Sequence, residues 1–120
     1  MSRLHTILVV DDDPEIRNVL RFVLEDAAHI VLTAADGYEA VQHLADRHVD
    51  LMITDIRMPG LTGFELGRQA KLLRPHLHVI YISGYHSEIE KGTGPVHGVL
   101  LEKPVRPPEL LNAINRELNV

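Results

Sequence analysis

Ile7-Leu8-Val9-Val10-Asp11-Asp12-Asp13-Pro14 is the stretch on which the fold turns. Four aliphatic residues in succession, with no polar alternation, suit a strand buried on both faces, as in a parallel sheet covered by helices on either side. The run stops at three aspartates and a proline. With Asp13 as cap and Pro14 at the first helical position, a helix begins there. Ile16, Val19, Leu20, Val23 and Leu24 then recur at the i, i+3, i+4, i+7 and i+8 spacing of an amphipathic helix facing a core.

The same pairing of strand and helix continues outward from this stretch. Runs at 30–33, 51–54, 78–82 and 99–101 join 6–10 as five expected strands, rich in Val, Ile and Leu. Asp36 and Glu39, at capping-box spacing, open a second helix with Val41, Leu44 and Ala45 on one side. Thr62 and Glu65 fit that box better and open a third, with Leu66, Ala70 and Leu73 inward and a stop before Pro75. A last helix starts near Pro107 and Pro108 and carries Leu111, Ile114 and Leu118. Across 84–94 only Tyr85 and Ile89 are large and apolar, and Gly92, Gly94 and Pro95 interrupt, so a short or irregular segment is expected.

Repeated strand–helix units with right-handed crossovers make an α/β fold: a single doubly wound (βα)5 domain over 1–120, with a five-stranded parallel sheet in the order 2-1-3-4-5. A chain of 120 residues, 45% apolar and 24% charged, has room for one such core and the composition of an ordinary globular domain. Twelve basic against 17 acidic side chains, a net charge of −5, disfavour direct nucleic-acid binding. The absence of cysteine excludes disulfides, thiolate metal sites and a cysteine nucleophile. No apolar run reaches the length of a signal sequence or a membrane span, so the expectation is a cytoplasmic protein without membrane contact.

Ligands of such sheets bind beyond the carboxyl ends of the strands, where the order reverses between the first and third. Asp11, Asp12 and Asp13 follow the first strand, Asp55 the third, Ser83 the fourth, and Lys103-Pro104 the fifth. Asp13 is accounted for as a helix cap. Two of the other carboxylates ~4 Å apart repel by about 4 kcal/mol at an effective dielectric near 20, so Asp11, Asp12 and Asp55 require a proton, the Lys103 ammonium or a divalent metal. An all-oxygen set suits Mg²⁺, with Mn²⁺ as its substitute. A hard cation, a lysine and a small hydroxyl around a carboxylate are equipment for a phosphoryl group, and an ionised aspartate can itself be the nucleophile without a general base. The eight histidines lack metalloprotease spacing and are read as scattered surface or core residues.

Three blocks in order, Ile7 to Pro14, Asp50-Leu51-Met52-Ile53-Thr54-Asp55-Ile56-Arg57-Met58-Pro59-Gly60 and Leu101-Glu102-Lys103-Pro104, resemble the receiver domains of bacterial two-component response regulators, the CheY-like family. Flavodoxin and CheY are the standing examples of the 2-1-3-4-5 order, so the resemblance implies the topology as well. It implies that Asp55 is the phospho-acceptor. It also implies that Asp11, Asp12, Asp55 and the Arg57 backbone carbonyl hold Mg²⁺, that Ser83 and the Gly84 amide meet the phosphate, and that Lys103 pairs with Asp55. Pro104 would follow a cis peptide bond. Ser83 and Leu100 occupy the switch positions; Leu100 stands where the family usually has Tyr or Phe, and the Gly-rich 84–94 segment departs from its usual output face. Tyr85 and the Arg57 side chain are placed by register to shape water access to Asp55.

The implied function is a phosphorylation-controlled switch, served by a sensor histidine kinase or phosphotransfer domain, acting on an unknown protein target, monomeric or weakly dimeric. It is not an enzyme beyond self-catalysed phosphoryl transfer and autodephosphorylation. Two alternatives stand beside it. Asp11 and Asp13 give the Asp-x-Asp of haloacid-dehalogenase-like phosphohydrolases, though Glu15 breaks that motif and no cap insertion follows. The other is a degenerate receiver acting as a phosphate-independent interaction module. A flavodoxin-like cofactor site is disfavoured because three aspartates would repel phosphate.

Overall fold

Ile7, Leu8, Val9 and Val10 are all buried, and they alternate between two separate cores, Ile7 and Val9 in one, Leu8 and Val10 in the other. A strand covered on both faces is what an unbroken apolar run requires. The computed structural model describes residues 4–84 and 98–119. In chain order the elements are β1 (Thr6–Val10), α1 (Pro14–Asp26), β2 (Ile30–Ala34), α2 (Gly37–Asp46), β3 (Leu51–Asp55), α3 (Gly63–Leu73), β4 (His78–Ser83), β5 (Val99–Glu102) and α4 (Pro107–Leu118). All strand pairs are parallel, in the order β2-β1-β3-β4-β5.

Ala40 and Leu44 of α2 and Phe64, Leu66 and Ala70 of α3 cover one face of the sheet. Leu24 of α1 and Leu110, Ala113 and Ile114 of α4 cover the other. The helix starts follow their caps. Asp13 accepts from Glu15 N at 2.9 Å, and Thr62 and Glu65 form a complete capping box. At Asp36 only half the box forms: Glu39 N donates to Asp36 at 2.8 Å, while the Glu39 carboxylate reaches one residue further back, to Ala35 N at 2.7 Å.

The structure corrects the sequence reading at several points. Four strands, β2 to β5, run one residue further than expected, so Asp55 and Ser83 are terminal strand residues, paired in register with Ile82 and Glu102, and not loop residues. Val19, Ala45 and Leu73 were expected inward but are exposed, because the sheet covers a narrower strip than the apolar stripe of each helix. Leu77, just before β4, fills the core beyond the last turn of α3 instead of Leu73. Of the 84–94 segment only Gly84 is described; Tyr85, Ile89, His86 and His97 lie outside the described residues.

Four of the described histidines share one end of the sheet. His5, His29 and His48 shortly precede β1, β2 and β3, and His78 begins β4, so parallel strands carry them to one amino-terminal edge. There Asp50 accepts from Thr6 N on Oδ2 and bonds His48 Nε2 through Oδ1, both at 2.8 Å. Burial pushes the Asp50 carboxyl up, but the Thr6 amide, followed by the His48 hydrogen bond and charge, outweighs it and holds the pKa below its usual value. Because His48 is 81% exposed, the amide is the stabilising partner that matters. A carboxyl whose folded pKa is depressed contributes stability above its unfolded value, about 3.9, and that contribution is lost as pH falls through the folded pKa. Asp50→Asn is therefore expected to cost about 1 kcal/mol at pH 7 and to flatten the acid limb of the stability profile below about pH 4. Urea midpoints measured from pH 2 to 7 check this, and parallel acid limbs for the two proteins would refute it.

Tyr81 of β4 is fully buried beside Phe64, with ring centroids 5.3 Å apart, and its hydroxyl finds no hydrogen-bond partner among the described residues. It sits flush against Gly67 of α3, where a Cβ would come within 1.9 Å of the oxygen. An unsatisfied buried hydroxyl carries its desolvation cost uncompensated, so Tyr81→Phe is expected to raise stability by about 1–2 kcal/mol. A lowered denaturation midpoint would reveal a partner for that hydroxyl.

Candidate phosphoryl and metal site

The carboxyl ends of β1, β3, β4 and β5 bring five side chains to one edge. The chain leaves β1 with Asp11 N still donating to Ala34 O at 3.1 Å, which aims the Asp11 carboxylate off the end of the sheet. A tight turn then fixes it: Asp11 Oδ1 accepts from Asp13 N at 2.9 Å, and Arg17 Nη1 of α1 donates to the Asp11 carbonyl at 2.6 Å. Asp12 is exposed.

Asp55 ends the central strand β3. The Thr54 hydroxyl donates to the Asp55 carbonyl at 2.9 Å, and Ile56 N to Ile82 O at 3.1 Å, so the backbone carrying the carboxylate is held on both sides. The carboxylate receives Lys103 Nζ on Oδ2 at 2.9 Å and the Arg57 amide on Oδ1 at 3.3 Å. Lys103 N donates to Ser83 O at 2.9 Å and extends the β4–β5 pairing by one residue; the Lys103–Pro104 peptide is cis.

Ligand oxygens of Asp11, Asp12 and Asp55 all lie within 4.8 Å of one another. Burial raises the Asp11 pKa; the Asp13 amide and the Lys103 charge oppose the rise, and the charges of Asp55 and Asp12 add to it. For Lys103 burial works downward, yet the hydrogen bond and charge of Asp55, with Asp11 and Asp12, prevail and hold the ammonium above its usual pKa. Three carboxylates facing one ammonium favour an added cation, and the all-oxygen donor set fits Mg²⁺. A groove of about 600 Å³ opens beside them, bordered by Asp11, Gly84 and Lys103 on one side and the apolar Ile16, Val19 and Leu20 of α1 on another.

Asp11, Asp12, Asp55 and Lys103 thus meet as the sequence suggests, with buried Ser83 at the end of β4 and Gly84 next to Lys103. Leu100 stands apart from the carboxylates: it pairs in register with Tyr81 and packs against the core under α2 and α3. Sequence reasoning missed Thr54, Arg17 and Gly63. Thr54 carried a signal, a hydroxyl directly before Asp55 at the end of the apolar run Leu51 to Ile53. Gly63 carried another, a glycine at the first position of a helix, and its missing side chain lets the α3 start lie on Asp55.

The comparisons with known proteins agree. A family model described as the response regulator receiver domain matches residues 7–115. An uncharacterised 14.6 kDa protein in the sodA1 3′ region of Leptolyngbya boryana is 39% identical over 114 residues, covering 92% of this chain and 87% of that one. The DNA-binding transcriptional regulator NtrC of Azospirillum brasilense is 36% identical over 95% of this chain, which spans only 24% of that protein. The crystal structure of response regulator TrrA from Thermotoga maritima, in complex with Mg²⁺-BeF, superimposes with a TM-score of 0.87 at 27% identity, covering 95% of this chain and 99% of that one. With the family model matching nearly the whole chain and the acidic pocket of Asp11, Asp12 and Asp55 in place, the chain belongs to the response regulator receiver domains of two-component systems.

Proposed function

We propose that this chain is a phosphorylation-controlled signalling switch whose Asp55 carboxylate accepts a phosphoryl group from a sensor histidine kinase or a phosphotransfer protein. An oxygen of Asp55 forms the new bond to phosphorus as the bond from phosphorus to the donor's nitrogen breaks, and the donor imidazole keeps the electron pair. Water later takes the group from Asp55 and restores the carboxylate. The observation that carries this reading is the Lys103 ammonium 2.9 Å from Asp55 Oδ2 within a cluster of three carboxylates.

Asp11, Asp12, Asp55 and the Arg57 carbonyl would hold Mg²⁺, which supplies charge neutralisation to the phosphoryl oxygens when bound. Lys103 supplies a second positive charge, and the Ser83 hydroxyl and Gly84 amide donate hydrogen bonds. Such contacts favour one arrangement of the β4 and β5 ends over another, with Ser83 and Leu100 as the residues that change. The switch acts on a protein target as a cytoplasmic monomer or weak dimer, without direct nucleic-acid contact and without further catalytic activity. No described helix is long and apolar enough to cross a membrane.

Intact mass after incubation with phosphoramidate, with and without Mg²⁺, tests the reading. An adduct that requires Mg²⁺ supports it. A folded, Mg²⁺-binding protein that takes up no phosphate overturns it in favour of a degenerate receiver. The ligand and counter-charge roles are separable by titration: Asp12→Asn is expected to weaken Mg²⁺ binding about tenfold, whereas Lys103→Met, which removes a competing cation, tightens it severalfold. Equal weakening by both would place Lys103 outside the charge balance.

A further inference from the structure

Arg17 is the fourth residue of α1, near the positive end of a helix whose dipole disfavours a cation there. Asp11, Asp12, Asp13 and Glu15 all precede it closely in sequence, yet its guanidinium forms no ion pair with any of these carboxylates among the described residues. Nη1 donates instead to the main-chain carbonyl of Asp11 at 2.6 Å. The direction follows from the helix itself, since side chains lean toward its amino terminus and cover the preceding turn.

That carbonyl belongs to a residue only 3% exposed and lies beyond Val10, the last residue of β1. Among the described residues no main-chain amide donates to it, so the guanidinium takes the place of a ladder partner. A buried carbonyl deprived of its donor is costly enough to shift the chain that carries it. The Arg17 amide meanwhile donates to the Asp13 carbonyl at 3.1 Å, so one residue closes both ends of the Asp11–Asp13 turn. Asp12 stands between those ends and makes no hydrogen bond of its own among the described residues. Its carboxylate nevertheless lies within 4.8 Å of those of Asp11 and Asp55, a placement that depends on the turn.

Building on the receiver function proposed above, we infer that Arg17 is a positioning residue for the metal: by clamping the turn that carries Asp11 and Asp12, it raises their affinity for Mg²⁺. The sign of the effect distinguishes a clamp from a charge. A side-chain cation acting near a metal site through charge alone weakens binding, so its removal tightens the metal, as expected for Lys103. Removal of a clamp does the reverse, because the two carboxylates must then be ordered at the moment of binding.

The test is a calorimetric Mg²⁺ titration of wild type, Arg17→Met and Lys103→Met, beside uptake from phosphoramidate at graded Mg²⁺. Arg17→Met is expected to weaken Mg²⁺ binding about fivefold, less than the loss of the Asp12 ligand itself, and saturating Mg²⁺ should recover its uptake rate. Unchanged or tightened binding in Arg17→Met would overturn the proposal, as would an uptake rate that saturating Mg²⁺ fails to recover. A second measurement needs no variant to fold: in the wild-type protein without Mg²⁺, the Arg17 Nη protons should give NMR signals protected from solvent exchange. Rapidly exchanging signals would refute the clamp. Affinity is read without phosphate, so failure of the receiver function shows separately, as a wild-type protein that binds Mg²⁺ and takes up no phosphate.

Discussion

Asp55→Asn is expected to abolish phosphate uptake from phosphoramidate, a loss of at least about a hundredfold, while the protein stays folded. The carboxamide matches the carboxylate in size, but its nitrogen is no nucleophile and its oxygen lacks the charge that attacks phosphorus. The energetic question is whether the fold suffers from losing the partner of Lys103, whose Nζ lies 2.9 Å from Asp55 Oδ2 with side-chain exposures of 32% and 9%. Removing one member of a buried pair is costly when it strands the other. Lys103 is not stranded, because the charges of Asp11 and Asp12 also act on it. Three mutually repelling carboxylates become two, which offsets the lost pair. The net change in stability is therefore expected within about 1 kcal/mol of zero. Intact mass and a thermal melt on the same sample check both halves. An adduct of equal yield on D55N would move the acceptor elsewhere, and a melt lowered by more than 10 °C would make Asp55 structural.

The opposite profile is expected at Gly63, the uncharged first residue of α3. A Cβ there would stand 2.2 Å from the Asp55 carbonyl oxygen and 2.7 Å from Ile56 Cα. Both are backbone atoms of the acceptor strand and its exit, so no rotamer change relieves the contact. Gly63 N also donates to Ile56 O at 2.9 Å, which ties the start of α3 to the same peptide. Gly63→Ala is expected to cost about 3 kcal/mol or more, the upper range for overpacking. It should also lower the phosphorylation rate, since relief requires the Asp55 backbone to move. Gly60, with φ of +80°, is the contrasting case: alanine there meets mainly the exposed Tyr38 ring at 3.3 Å, and its chief cost is backbone strain, about 1 kcal/mol. Urea midpoints of the two variants compare the mechanisms, and equal midpoints would mean that the β3–α3 junction yields more readily than its geometry indicates.

Asp11, Asp12, Asp55 and Lys103 were legible because a parallel sheet converts one local fact, which residue follows each apolar run, into a shared location. Asp13, Pro14, Thr62 and Glu65 were legible because caps act within a few residues. By the same logic His5, His29 and His48, each shortly before a strand, reach the opposite edge. That gathering has no signature in spacing along the chain, because strand pairing and not helical periodicity brings these residues together.

Element types, their order, the helix starts and the edge at which the carboxylates meet follow from periodicity, capping and chain direction, all of them local properties of the chain. Packing between distant segments sets the rest: Val19 and Leu73 lie outside the cores, Asp55 and Ser83 remain within the sheet, Gly63 rests on the Asp55 carbonyl, and the His5 and His29 rings come within 6.2 Å. The physical reason is range: periodicity tells a side chain which face it occupies. How far the opposing layer extends over that face, and which residue stands across from it, are set by strand register and helix packing between segments distant in the chain.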